Sequence, residues 1–266
     1  MDGGGQRMTA ALRPDFVPDF VIAALGRSGS TMIANWLTRP PGEIVLIEPF
    51  LFALENPAML HRQFADLGMA ASPAEWSAYD ADWQARFARL FAPRLAGRRW
   101  AVKEVLGEEH RRLIAAFAPP RVVITVRDID AIAASFLEKH RRQGNRHRFD
   151  AGWVADYCRR ETALVMALRG ELEAQGTPHR VVRYEDFIAS GAERAALAAF
   201  VGWTGEGDVG RHLAGLGRGF EAERHGEGVG NAAPSLAARG LDAEECALVQ
   251  AISEDCAVYR AAFGYA

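Results

Sequence analysis

The sequence predicts an α/β protein with a parallel sheet flanked by helices. Three observations carry that expectation. Short apolar runs suited to strands buried on both faces recur at 20–25 (FVIAAL), 43–47 (EIVLI) and 121–126 (RVVITV). Helical stretches with apolar periodicity separate them, the alternation expected of parallel strands joined by crossover helices. The polar residues of chemical interest fall just after the runs, at the strand ends where such sheets bind ligands.

Taken in order, residues 1–18 hold a glycine run and two prolines and read as a loose leader without the apolar stretch of a signal peptide. The remainder, 19–266, reads as one domain. The first strand is 20–25, and 26–30 interrupts it. A helix starts at 31–38 with Trp36 and Leu37 facing inward, and Pro40, Pro41 and Gly42 break it. The strand 43–47 leads into Glu48 and Pro49. Residues 56–97 are helical in pattern and rich in aromatics, and they read as an insertion packed on the sheet. A strand at 100–103, a helix at 108–118, the strand 121–126 and helices at 129–142 and 153–175 follow. Then come a strand at 179–183, a helix from about 192 to 202, a glycine-rich loop over 205–235 with a short helix inside, and a final helix at 242–263.

With 49% hydrophobic and 24% charged residues, the 266-residue chain has an ordinary globular composition. Its net charge of −3 argues against nucleic acid as a partner, since phosphate-backbone binders carry a basic excess. No apolar run approaches a membrane span. Cys158, Cys246 and Cys256 form no metal-binding or disulfide spacing and read as buried thiols in a reducing, cytosolic setting.

The segment after the first strand is Gly26-Arg27-Ser28-Gly29-Ser30-Thr31, followed by Met32. Two glycines permit a tight turn and close approach of the backbone to a ligand. Successive amides leading into a helix N-terminus make an anion cradle, to which three hydroxyls and one arginine add donors. A plain turn capped by serine would need fewer of these residues. The loop is not a Walker A motif, because Ser30 stands where that motif has lysine. Farther on, Arg127 ends the strand 121–126 and Ser135 follows eight residues later in the next helix. That spacing can grip a phosphate from two sides. Singly, Ser135 could be a small packing residue and Arg127 an ion-pair partner of Asp128 or Asp130.

The stretch GRSGST resembles the 5′-phosphosulfate loop of sulfotransferases that use 3′-phosphoadenosine-5′-phosphosulfate (PAPS), especially the Golgi-type, tyrosylprotein and bacterial members. The stretch VVITVRDIDAIAASFLE resembles their 3′-phosphate motif. The resemblance runs from about residue 20 to the C-terminus and is strongest at these two sites. It implies a fold like that of P-loop NTPases, PAPS as co-substrate, no metal, and binding by Arg27, Ser28, Gly29, Ser30, Thr31, Met32, Arg127 and Ser135. Residues 182–187 (VRYEDF) resemble a family segment that ends a late strand near the nucleotide, which implicates Tyr184. Residues 225–231 (HGEGVGN) loosely resemble the covering loop and point to Gly230 and Asn231, without the arginine that often follows there.

The implied reaction moves a sulfuryl group in line to a hydroxyl or amine, and it depends on positioning and on cations that neutralise developing charge. Arg27 and Lys103 are the candidate cations. Lys103 could instead be a surface lysine paired with Glu104. Glu48 is the chosen general base, because it follows a strand and its separation from Arg27 resembles that of the catalytic glutamate in tyrosylprotein sulfotransferases. The alternative for Glu48 is a plain turn residue before Pro49, and His110, His140 and His147 are rival bases. The acceptor stays open among small molecules, sugars, lipids and peptides, with residues 56–97 and 205–235 expected to line its pocket. A kinase-like phosphotransferase and a non-catalytic nucleotide-binding protein are the competing readings.

Overall fold

A computed structural model describes residues 16–52, 57–77, 79, 81–144, 150–207 and 239–265. Five strands form one sheet: β1 (Phe20–Ala24), β2 (Glu43–Ile47), β3 (Arg99–Glu104), β4 (Val122–Val126) and β5 (His179–Arg183). Their order is β2-β3-β1-β4-β5, and every neighbouring pair is parallel. The central strands β1 and β4 are buried throughout and apolar but for Thr125, because both faces are covered, whereas the edge strand β5 is mostly half-buried. Along β1, Phe20, Ile22 and Ala24 face one side, where α1 (Ser30–Leu37), α9 (Tyr184–Ala189) and α10 (Gly191–Val201) pack. Val21, Ala23 and Leu25 face the other. There lie α6 (Gly107–Phe117), α7 (Ile129–Arg142) and α8 (Ala151–Gln175), joined by α11 (Ala243–Asp255) and α12 (Ala257–Phe263).

The aromatic region expected at 56–97 packs on that second face beside β2 and β3. It comprises α2 (Pro57–Asp66), α3 (Pro73–Trp76), α4 (Trp83–Arg86), a π-helical turn (Phe87–Phe91) and α5 (Ala92–Leu95). Pro93 explains the π turn: its missing amide and its ring cannot continue a regular α-helical ladder, so the preceding turn widens.

Two expectations need correction. The helix anticipated over 242–263 is broken at Cys256 into α11 and α12; no Gly or Pro marks the break, so periodicity alone reads through it. Cys246 is exposed, while Cys158 and Cys256 are buried as expected. Most of the glycine-rich loop, with Gly230 and Asn231, and also His147, lies outside the described residues.

The register aligns the carboxyl ends of the strands along one edge. Ala23 pairs with Glu104, Ala24 with Thr125, Ile47 with Lys103, and Val126 with Arg183. Glu48, Arg127 and Tyr184 are each the first residue after a strand, so one sheet edge collects them without any long loop.

Candidate functional site

The loop after β1 is held from both sides. The Gly26 amide donates to the Tyr157 hydroxyl at 2.6 Å, and that hydroxyl donates to the Val105 carbonyl at 3.2 Å. A Cβ on Gly26 would lie 2.7 Å from the Tyr157 oxygen, so glycine is required for this approach. Gly29 has φ 81, and a Cβ there would lie 2.1 Å from the Tyr184 ring. Both the conformation and the space therefore demand glycine. Gly29 leads directly into α1, and no side chain caps that helix. By contrast α7, α8, α10 and α11 are capped by Asp128, Asp150, Ser190 and Asp242. The loop's own serines do not cap α1, as no side chain caps α6, α9 or α12. Ser28 is buried, its hydroxyl 3.4 Å from that of Thr125. Ser30 is buried, and Thr31 turns toward Lys103. The Met32 amide is engaged with the Gly29 carbonyl, and its side chain packs on the core.

Arg127, at the end of β4, is 6% exposed and donates to the Arg27 carbonyl at 3.1 Å. Its guanidinium lies over the Tyr184 ring, 4.6 Å from the centroid. Among the described residues no carboxylate pairs with it, and its Nε has no hydrogen-bond partner. Asp128 pairs with Arg260 instead, at 3.3 Å. Burial pulls the Arg127 pKa down, opposed by Tyr184, and the nearby Arg239 cation adds to the pull. A buried arginine with unspent donors suits an anion better than it suits a structural ion pair. Ser135, 5% exposed, accepts from Arg27 Nε at 3.0 Å, so the residues expected at the two anion grips are in direct contact.

Lys103 and Glu48 pair at the neighbouring ends of β3 and β2. Lys103 is 1% exposed; its ammonium pairs with the Glu48 carboxylate and lies 3.5 Å from the Thr31 hydroxyl. It is therefore neither a surface lysine nor the partner of Glu104. Glu48 keeps its side chain about a quarter exposed, 27%. His110 belongs to the core: its Nε2 lies 3.2 Å from the Ala24 amide and 2.8 Å from the Glu104 carbonyl. Burial pulls its pKa down to about 4, which removes it as a solvent-facing base. His140 is likewise buried, packed against Phe136 and Trp153.

Several residues of the site carry no local signal in the sequence. Tyr259 accepts from the Arg127 amide at 3.3 Å and donates to its carbonyl at 2.8 Å, which fixes the strand end from α12. Arg239, buried and paired with Glu138 at 2.8 Å, brings a second cation near Arg127 and Tyr184. Tyr265 donates to Glu185, which in turn accepts from the Asp128 amide. Only contact across the fold identifies Tyr157, Tyr259 and Arg239.

A parallel sheet with a glycine turn after its central strand, and cations gathered at the strand ends, is the α/β architecture whose ligands sit at the carboxyl ends of the strands. The model of the sulfotransferase family matches residues 18–204, and the chain belongs to that family of transferases. No curated protein matches the chain. Among the described residues no group of His, Cys, Asp and Glu is arranged to hold a metal ion, and no helix is long and apolar enough to cross a membrane.

Proposed function

We propose that the chain transfers a sulfuryl group from PAPS to a hydroxyl or amine of an acceptor, with Glu48 as general base. The observation that carries this reading is the Glu48–Lys103 pair at the ends of β2 and β3, beside the start of α1. PAPS, when bound, supplies the activated sulfuryl group. Arg127 and Ser135 hold its 3′-phosphate, and the amides of Gly29, Ser30 and Thr31 at the start of α1 hold the 5′ end. Arg27 links the two grips and neutralises donor charge. Glu48 removes the acceptor proton as the acceptor atom bonds to sulfur. Lys103 neutralises the charge left on the departing phosphate oxygen, and its burial keeps that charge poorly screened. The acceptor approaches beside Phe50, Phe52 and Trp83, a half-buried aromatic edge in which the last two rings lie 5.0 Å apart.

Thermal unfolding with added nucleotide tests the reading. Adenosine 3′,5′-bisphosphate without magnesium is expected to raise the melting temperature, since ligand at about a hundredfold its Kd adds about 2.7 kcal/mol. Stabilisation by Mg-ATP alone would overturn the assignment in favour of a phosphotransferase. Binding of the bisphosphate without turnover of any acceptor would point to a non-catalytic binding protein.

A further inference from the structure

The segment after β2 holds an unusual backbone. Glu48 and Phe50 both lie in the left-handed region, φ 49 and 45, on either side of Pro49. Neither is glycine, so each conformation persists only where neighbours over-determine it. Three contacts with the end of β3 do so. The Glu48 amide donates to the Lys103 carbonyl at 2.7 Å, the Glu48 carboxylate pairs with the Lys103 ammonium, and the Phe50 amide donates to Glu104 Oε1 at 2.8 Å. Successive strand side chains point to opposite faces. Lys103 leaves β3 toward Thr31 and α1, and Glu104 leaves it on the face that α6 covers. The elbow 48–50 therefore straddles the strand end and is held by one side chain on each face.

We propose that Glu104 is a positioning residue of the reaction: its side chain holds the Phe50 amide so that the elbow presents the Glu48 carboxylate to Lys103 and to the acceptor. The proposal rests on the reading of Glu48 as base. Glu104 is fully buried, 0% exposed, and forms no ion pair among the described residues. Its Oε2 has no hydrogen-bond partner there. An apolar side chain of the same size would fill the space without burying an unsatisfied oxygen, so packing alone does not account for a glutamate. Burial, and then the Glu48 charge, push its carboxyl well above the usual carboxylate range; the Phe50 hydrogen bond and Lys103 oppose the push and Glu109 adds to it. The carboxyl accepts the Phe50 amide through one oxygen, while Lys103 pairs with Glu48.

The proposal is tested with Glu104→Gln, Glu104→Asp and Glu104→Met beside Glu48→Gln. The readouts are kcat and KM with whichever alcohol, phenol, sugar or amine in a panel the wild type turns over fastest, together with the affinity for adenosine 3′,5′-bisphosphate. Glutamine keeps the acceptor oxygen at the same reach, aspartate is too short to reach Phe50, and methionine fills the space without an acceptor. Glu104→Met and Glu104→Asp are expected to lower kcat about tenfold or more, as misplacement of a catalytic group does, with bisphosphate affinity held within about twofold. Glu104→Gln is expected to restore kcat to within about threefold of wild type. If Glu104→Met fails to fold, the Asp and Gln pair carries the same contrast. Wild-type kcat in Glu104→Asp or Glu104→Met, or a loss in Glu104→Gln equal to theirs, overturns the positioning role. Near-normal turnover in Glu48→Gln overturns the underlying reading of the base instead. An inactive Glu48→Gln beside fully active Asp and Met variants sinks the positioning role alone.

Discussion

The β1–β4 end of the strand edge and its β2–β3 end are built from different materials. At the first, a glycine turn is fitted against Tyr157 and Tyr184, and Arg127 is held at its backbone by Tyr259. Its donors include the main-chain amides at the start of α1 and Arg127, with which no carboxylate pairs among the described residues. At the second, the quarter-exposed Glu48 sits on a left-handed elbow pinned across the end of one strand and pairs with the buried Lys103 of that strand. In the proposed reading the first end binds the nucleotide through its phosphates. In the proposed reading the second combines the proton acceptor Glu48 with the cation Lys103, the pairing that serves a displacement at sulfur. Binding and chemistry can therefore be perturbed separately in one small sheet.

Replacing Arg127 is the stronger way to break the comparison from the binding side. Hydrogen bonds to charged groups contribute about 1.5–3 kcal/mol each. Arg127→Ala is therefore expected to raise the Kd for adenosine 3′,5′-bisphosphate roughly ten- to a hundredfold, measured by titration calorimetry. Turnover at saturating nucleotide should change far less. Unchanged affinity would remove Arg127 from the grip.

His110 sharpens the comparison, because it touches both ends: the Ala24 amide before the loop and the Glu104 carbonyl beside the elbow. Burial holds its pKa near 4 in the fold, against 6.5 when exposed. Above pH 6.5 both states are neutral there and stability is complete. As pH falls below that value the unfolded chain takes up a proton that the folded chain refuses, so stability declines until pH is near 4. The full effect is about 3 kcal/mol. Urea unfolding at pH 7 and pH 4.5 should show a smaller decline for His110→Gln than for the wild type. Equal declines would mean that His110 is not buried neutral.

The sheet and the binding end were legible in the sequence because their signals are local. Buried strands appear as unbroken apolar runs, the glycine turn occupies six adjacent residues, and Arg127 and Ser135 lie two helical turns apart. Glu48 and Lys103 were legible for a simpler reason: in a parallel sheet the residues at strand ends share one edge. What was not legible acts across the chain. Tyr157 reaches Gly26 over 131 positions and Tyr259 reaches Arg127 over 132, each from a helix whose pattern marks it only as core. Glu104 entered the sequence reading only as an alternative partner of Lys103, because nothing local shows that the elbow after β2 wraps the strand end. The break at Cys256 left no trace either, since no residue there is a poor helix former in the manner of Gly or Pro.

The separation of binding from chemistry is the central claim, and Glu48→Gln tests it most directly when turnover and bisphosphate affinity are measured on the same preparation. The expected result is a kcat at least about a hundredfold below wild type, the usual loss on removing a general base, with the Kd for adenosine 3′,5′-bisphosphate within about twofold. Near-normal turnover, or a loss of affinity as large as the loss of rate, would contradict it.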